Sequence, residues 1–171
     1  MWSKSTSSQR GLILLSAWLP AIFCMAMIGV SSSDNFSSDH TSHFLRPLLQ
    51  SIFGAFNDVV WARLLYGIRK IGHFFAYGFV SLIFFRAARM TFRIRRNRSA
   101  VTATLRAASV ALVMTLMLCG LDEFHQSFLP ERTGSPFDVL LDMCGAITCH
   151  LIVFALFGSL LELAETRSPA K

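Results

Sequence analysis

Runs without charge, separated by short polar stretches, set the pattern of this chain. Gly11 to Ser33 carries no charged residue, about 23 positions, and about 20 apolar residues suffice for a helix to cross a bilayer. A second apolar block, Val59 to Arg86, is interrupted by Arg69 and Lys70, which leaves Ile71 to Phe85 uncharged. Long basic side chains near a helix end reach the headgroups along their apolar stems, so a span over about residues 66–86 is expected despite them. A third span is expected over about 107–128, ended by Pro130, and a fourth over about 137–161. Between the first two lies a polar linker, SSSDNFSSDHTS, and after it Phe44, Leu45, Leu48, Leu49, Ile52, Phe53 and Phe56 recur at helical spacing. That short amphipathic helix suits either the membrane interface or a lid over the bundle; the interface is taken as the expectation.

The expected fold is therefore all-α: an integral membrane protein built as a four-transmembrane-helix bundle with an interfacial helix in the first outer loop. Residues 1–10 form a cytoplasmic tail, 11–162 the membrane domain, with a first span over 11–31, and 163–171 a second cytoplasmic tail. A signal peptide is the competing reading of the first span. Its apolar core would be too long, no A-x-A-like site follows, and Phe23 before Cys24 spoils a lipoprotein-type site. A retained span is expected.

Composition agrees with the blocks: 53% of the residues are hydrophobic and the mean hydropathy is +0.51, too apolar for an ordinary soluble domain. A net charge of +6 would invite a nucleic-acid partner were the cations spread over a polar surface. Instead Arg86, Arg89, Arg93, Arg95, Arg96, Arg98 and Arg106 crowd between two apolar blocks with no acid and no interleaved stacking aromatics, and nucleic acid is not an expected partner. Such a loop faces the cytoplasm. Four spans then place both termini in the cytoplasm and the first and third loops outside. Lys4 and Arg10 agree; Arg69 and Lys70 fall on the outer side and are outnumbered. Cys24, Cys119, Cys144 and Cys149 all lie in apolar blocks with no metal-ligand spacing, as packing residues do.

In a chain only 15% charged, Leu121 to Gly145 concentrates Asp122, Glu123, His125, Gln126, Glu131, Arg132, Asp138 and Asp142. Polar groups at a membrane boundary are costly unless they pair or act. Parity puts the start of the second span, the end of the third and the start of the fourth on one side of the membrane. Lys70, His73, Tyr77 and Ser81 share one stripe of the second span. Asp122, Gln126 and Cys119 share a face of the third, flanked by Glu123 and His125. Asp138, Asp142, Gly145 and Cys149 follow at helical spacing on the fourth. The small residues Gly145 and Cys149 invite a close helix neighbour. A polar cup is expected where these faces meet.

Plainer readings exist for several members. Ser135-Pro136-Phe137-Asp138 is a helix start, with a serine cap, proline at the first position and an acid at the third. Arg132 can pair with Glu131, Arg69 and Lys70 can anchor at headgroups, Tyr77 can be core, and His150 reads as a hydrogen-bonded core histidine. Asp122, Glu123, His125 and Asp142 together resist dismissal. Carboxylates crowded together beside His73 or His125 form acid–base pairs, the candidate catalytic set being Asp122, Glu123, His125 and His73. Lys70, Tyr77, Gln126, Arg132, Asp138 and Asp142 are the candidate substrate-binding set, in which Lys70 and Arg132 can hold a phosphate or carboxylate. His73, His125, Glu123 and Asp142 include metal-ligand types, but their spacing is not diagnostic, and neither a metal nor a cofactor is expected. Neither G-x-S-x-G, P-loop nor H-E-x-x-H occurs.

These residues resemble the VanZ-like family of small bacterial membrane proteins. Arg69-Lys70-x-x-His73-Phe74-x-x-Tyr77 is similar to one family block. Asp122-Glu123-x-His125-Gln126-Ser127-Phe128-x-Pro130-x-Arg132-Thr133 and Asp138-Val139-Leu140-x-Asp142-x-x-Gly145 are similar to the other. The serine-rich linker also has a family counterpart. Ala76 stands where many members carry Glu, which removes an acid from the cup, and Glu131 replaces a usual glycine of the P-G-R turn. The resemblance implies a multi-pass protein of the bacterial cytoplasmic membrane. It also implies a cell-envelope role that lowers susceptibility to teicoplanin-type lipoglycopeptides, through membrane lipids or a lipid-linked cell-wall precursor met at the outer face. Two further readings stay open: a membrane-embedded hydrolase or transferase acting on a lipid headgroup with the Asp122, Glu123, His125 and Arg132 cup, and a structural or translocating bundle without catalysis. Neither the ligand nor the oligomeric state follows from the residues.

Overall fold

The structure, a computed structural model, describes residues 7–33, 38–94, 100–129 and 134–166. These residues form five α-helices and no strand: α1 (Ser7–Ser31), α2 (Ser38–Phe53), α3 (Asp58–Ile94), α4 (Ala100–Gln126) and α5 (Pro136–Thr166). Four contain windows long and apolar enough to cross a membrane, at Ser7–Ser31, Asp58–Phe92, Thr102–Gln126 and Pro136–Leu156. The protein is an all-α, multi-pass membrane protein.

The distribution of polarity is that of a bundle whose solvent is lipid. Leu15, Leu19 and Ile22 on α1, Phe75 and Phe79 on α3, Val113, Leu116 and Met117 on α4, and Leu151, Ile152 and Leu156 on α5 are all exposed. A continuous outward apolar belt of this kind needs a hydrocarbon neighbour. Meanwhile Ser81, Thr115, Asp122, Glu123, Gln126, Asp142 and His150 are buried.

Helix α3 is the centre, packing most extensively on α5, then on α4 and α1, with a small contact to α2. Its 37 residues rise about 55 Å, against a hydrocarbon core of about 30 Å. The span expected over 66–86 is thus part of a helix that starts about two turns earlier. Asn57 caps that start, its Oδ1 accepting from the Val60 N–H at 2.8 Å. Arg69 and Lys70 therefore lie inside a continuous helix rather than near its end, which corrects the picture of terminal anchors. Helix α5 runs to Thr166, past the expected limit of 161, and α4 begins at Ala100 rather than near 107 but ends at Gln126, close to the expected 128.

Small side chains let the helices close on α3. Ala17 and Ala21 of α1 are fully buried, as are Ala107 and Ala111 of α4 and Ala87 of α3. The tightest crossing is between α3 and α5. A Cβ on Gly145 would lie 2.1 Å from the Phe74 carbonyl oxygen, and one on Gly78 would lie 2.6 Å from Cys149 Sγ. The close neighbour expected for Gly145 and Cys149 is therefore α3. At the far end, Trp18 Nε1 donates to Thr91 Oγ1 at 3.1 Å, joining α1 to α3.

Helix α2 forms where the amphipathic pattern placed it and is tied to the start of α3. Arg46 Nη2 pairs with Asp58 Oδ1 at 2.7 Å, and Trp61 Nε1 donates to Ser42 Oγ at 3.1 Å. Phe44, Leu48, Ile52 and Phe53 remain exposed.

Candidate functional site

The polar faces of α3, α4 and α5 meet at one end of the bundle. From α3, Tyr77 (2% exposed) donates through Oη to Asp122 Oδ2 of α4 at 2.8 Å. Gln126, one turn after Asp122, donates through Nε2 to the same oxygen at 2.9 Å. Burying a carboxylate costs several kcal/mol, and two donors on one oxygen offset part of that for Asp122.

The turn from α4 into α5 is held by a second acid. Ser135 caps α5 in the expected way, its Oγ accepting from the Phe137 N–H at 3.2 Å. In an ordinary capping box the acid at the third helical position would return to the cap's own N–H. Here that N–H donates to Glu123 Oε2 of α4 at 2.7 Å. The acid at the third position, Asp138, instead forms a close ion pair with Lys70 of α3. Gly134 is required at this turn, because a Cβ there would lie 2.2 Å from the Glu123 carbonyl oxygen.

Between these two groups sits Asp142, fully buried. His73 Nδ1 lies 3.6 Å from Asp142 Oδ1, just beyond hydrogen-bond length, and the His73 ring stacks on Tyr77 with centroids 6.0 Å apart. Among the described residues, neither oxygen of Asp142 has a hydrogen-bond partner, nor do Glu123 Oε1 and His73 Nδ1. One donor atom from each of His73, Glu123 and Asp142 lies within 4.8 Å of the other two.

A cavity of about 200 Å³ opens beside this cluster. Its floor is His73, Tyr77 and Asp122, and its walls include Ser31, Ser32, Thr41 and Arg69. Deeper in the bundle, Ser81 and His150 hydrogen-bond at 3.0 Å between Oγ and Nε2, joining α3 to α5. His150 also meets Phe85 edge-on, with centroids 5.3 Å apart, the core role expected for it.

The described residues thus bring together Lys70, His73, Tyr77, Asp122, Glu123, Gln126, Asp138 and Asp142. They do not bring in His125, which is exposed. The buried arc of α4 runs from Asp122 through Gln126 and Cys119 to Glu123, about 100° of the helix, and His125 lies about 60° outside its Asp122 edge. Arg132, expected to close over the cup, lies outside the described residues.

Sequence reasoning missed Ser31, Ser32, Thr41 and Arg69 as cavity wall, along with the Glu123–Ser135 and Ser81–His150 bonds. The linker read only as polar spacing, and Arg69 only as an anchor. Periodicity within one helix carries no information about which partner a second helix presents.

The family model for VanZ/LLP1 matches residues 13–158, a range that runs from within α1 to within α5 and includes every residue of this cluster. The chain belongs to the VanZ/LLP1 family. No curated protein and no solved structure matches it. In this VanZ-family protein the two blocks of family resemblance supply the three segments that converge: α3 at Lys70–Tyr77 from the first, and α4 at Asp122–Gln126 and α5 at Asp138–Gly145 from the second.

Proposed function

We propose that this VanZ-family protein binds the anionic headgroup of a membrane lipid or lipid-linked cell-wall precursor at the outer face of the cytoplasmic membrane, and thereby lowers susceptibility to teicoplanin-type lipoglycopeptides. The observation that carries the reading is the cavity, which combines a cation at its wall, Arg69, with hydroxyl groups and a buried polar floor. A guanidinium beside hydroxyl donors suits a phosphate or carboxylate. Size selects among ligands: sites for drug-sized molecules run about 300–1,000 Å³, so about 200 Å³ admits a headgroup and not a whole glycopeptide. The effect on the antibiotic is then indirect, through the lipid-linked surface it meets.

The arginine-rich stretch from the last turns of α3 into the start of α4 supports placing the cavity outside and both termini in the cytoplasm. The exposed apolar residues of α2, Phe44, Leu48, Ile52 and Phe53, support its lying in the outer interface, with Thr41 at the cavity wall. A catalytic reading has one observation in its favour: His73, which lines the cavity, faces the buried Asp142, an acid–base couple able to move a proton during hydrolysis or transfer at a headgroup.

The test compares cells lacking the gene with cells expressing the wild-type chain, Arg69→Ala or Asp122→Asn, at matched membrane protein levels. Headgroup and lipid-carrier profiles and teicoplanin susceptibility are measured together. The wild-type chain is expected to shift both and the two variants to lose the shift. Profiles identical with and without the gene, or variants that act as wild type, reject headgroup binding. Variants that fail to accumulate as folded protein would assign the cluster to bracing the helices.

A further inference from the structure

Buried carboxylates at the α3–α4–α5 junction outnumber the groups that face them. Lys70 is taken by Asp138, and Tyr77 and Gln126 by Asp122. Glu123 spends one oxygen on the Ser135 N–H. What remains is Glu123 Oε1 and both oxygens of Asp142, buried and without hydrogen-bond partners among the described residues, facing one imidazole whose Nδ1 is also unpartnered there. Native proteins satisfy nearly all buried polar atoms, and leaving a buried carboxylate unpaired costs several kcal/mol. One imidazolium balances one of these two carboxylates. A divalent cation with a neutral imidazole balances both and takes a lone pair from each orphaned donor.

We propose that His73, Glu123 and Asp142 form a binding site for a divalent first-row transition-metal ion. One nitrogen and two carboxylate ligands suit zinc or manganese, and three protein ligands leave a position open for an exogenous oxygen. Ligands about 2.0–2.2 Å from a tetrahedral ion stand about 3.3–3.6 Å apart. His73 Nδ1 and Asp142 Oδ1 are already 3.6 Å apart. With all three donors within 4.8 Å, closure needs a movement of about 1 Å, within the reach of a Glu side chain changing rotamer. The Gly145–Phe74 contact one turn along α5 fixes the distance between the helices that supply His73 and Asp142. His73 also lines the cavity, so the ion borders it, and an oxygen of a phosphate or carboxylate ligand entering there completes its coordination. The site stands on the three residues alone and does not depend on what the cavity holds.

Tag-free full-length protein, purified in detergent and stripped with a chelator, is dialysed against Zn²⁺ or Mn²⁺ and its metal content measured by elemental analysis. One ion per chain is expected for at least one of the two metals, with a rise in Tm. His73→Gln and Asp142→Asn should each weaken binding about tenfold or more, since even outer-shell partners are worth about 10–100-fold, whereas Asp58→Asn, on the exposed Arg46 pair at the start of α3, should bind as wild type. Asp142→Asn removes a buried charge rather than stranding one, so it reports on the site even if His73→Gln fails to fold. The absence of stoichiometric binding of either ion, or triad variants that bind as wild type, overturns the proposal. Preference for Mg²⁺ or Ca²⁺ over both overturns its assignment to a transition metal.

Discussion

Asp122 and Asp142 stand twenty residues apart in the sequence, are both buried acids, and are treated differently by the fold. Asp122 receives two hydrogen bonds on one oxygen, from Tyr77 and Gln126, whereas Asp142 meets only the edge of His73. The first is a brace and the second is a buried acid left open to chemistry inside the bundle. Removing the Tyr77 hydroxyl separates the two roles. Tyr77→Phe should cost about 0.5–2 kcal/mol, the range for a buried bond to a charged acceptor tempered by the smaller values found within membranes. Denaturant-induced unfolding in mixed micelles measures it. His125→Ala, on an exposed residue, should stay within about 0.5 kcal/mol of wild type. A loss at His125 comparable to that at Tyr77 would show that the outward placement of His125 is wrong.

At the scale of helices, α3 and α5 meet by backbone contact at the end that carries the cluster and by large side chains, Phe85 against His150 and Phe154, deeper in the bundle. Gly145 has the Phe74 carbonyl where its Cβ would be, so any side chain there pushes apart the helices that carry His73 and Asp142. Gly145→Ala should destabilise by about 1–3 kcal/mol, the usual range for overpacking, and should weaken whatever binds at the cluster. Gly120, on α4, has nothing within 4 Å of a Cβ, so Gly120→Ala should be neutral or stabilising by up to about 1 kcal/mol. Thermal unfolding of the two variants in the same detergent gives the comparison. Equal effects would mean that the close crossing does not limit the bundle. Two features of this crossing were legible beforehand, the small pair Gly145 and Cys149 and their helical spacing with Asp138 and Asp142. The neighbour that uses the gap was not, because a small-residue stripe accommodates any helix.

For the molecule as a whole, the decisive quantity is orientation, on which the outer placement of the cavity rests. In a chain with Cys24, Cys119, Cys144 and Cys149 replaced, a cysteine at Asn97 should react with an impermeant reagent only after the membrane is permeabilised. A cysteine at Thr133 should react in intact spheroplasts. The reverse pattern would move the cavity to the cytoplasmic side and end the proposed link to a surface-acting antibiotic. The length of α3 bears on the same point. About 24 Å separate Lys70 from Arg86 along its axis, and about three further helical turns precede Lys70 in the same helix. Those turns are tied to α2 by Arg46 and Trp61, and α2 brings Thr41 to the cavity wall.

Charge-free length determined four spans, because unsatisfied backbone groups permit only helices and closed barrels across lipid, and apolar runs of about 20 residues fit helices rather than the shorter strands of a barrel. Parity alone then placed Lys70, His73, Asp122, Glu123 and Asp142 at one end, and the serine cap of α5 was readable from its four residues. Tertiary structure decided the rest. It chose Glu123 over Asp138 to hold the Ser135 N–H, gave Lys70 to Asp138, and turned His125 outward. It also brought Arg69 and the serine-rich linker to a common cavity. Periodicity specifies which residues share a face of one helix. The rotation of each helix about its own axis, set here by where small residues let α3 approach α5 and α4, specifies which faces meet, and with them which buried acids are paired.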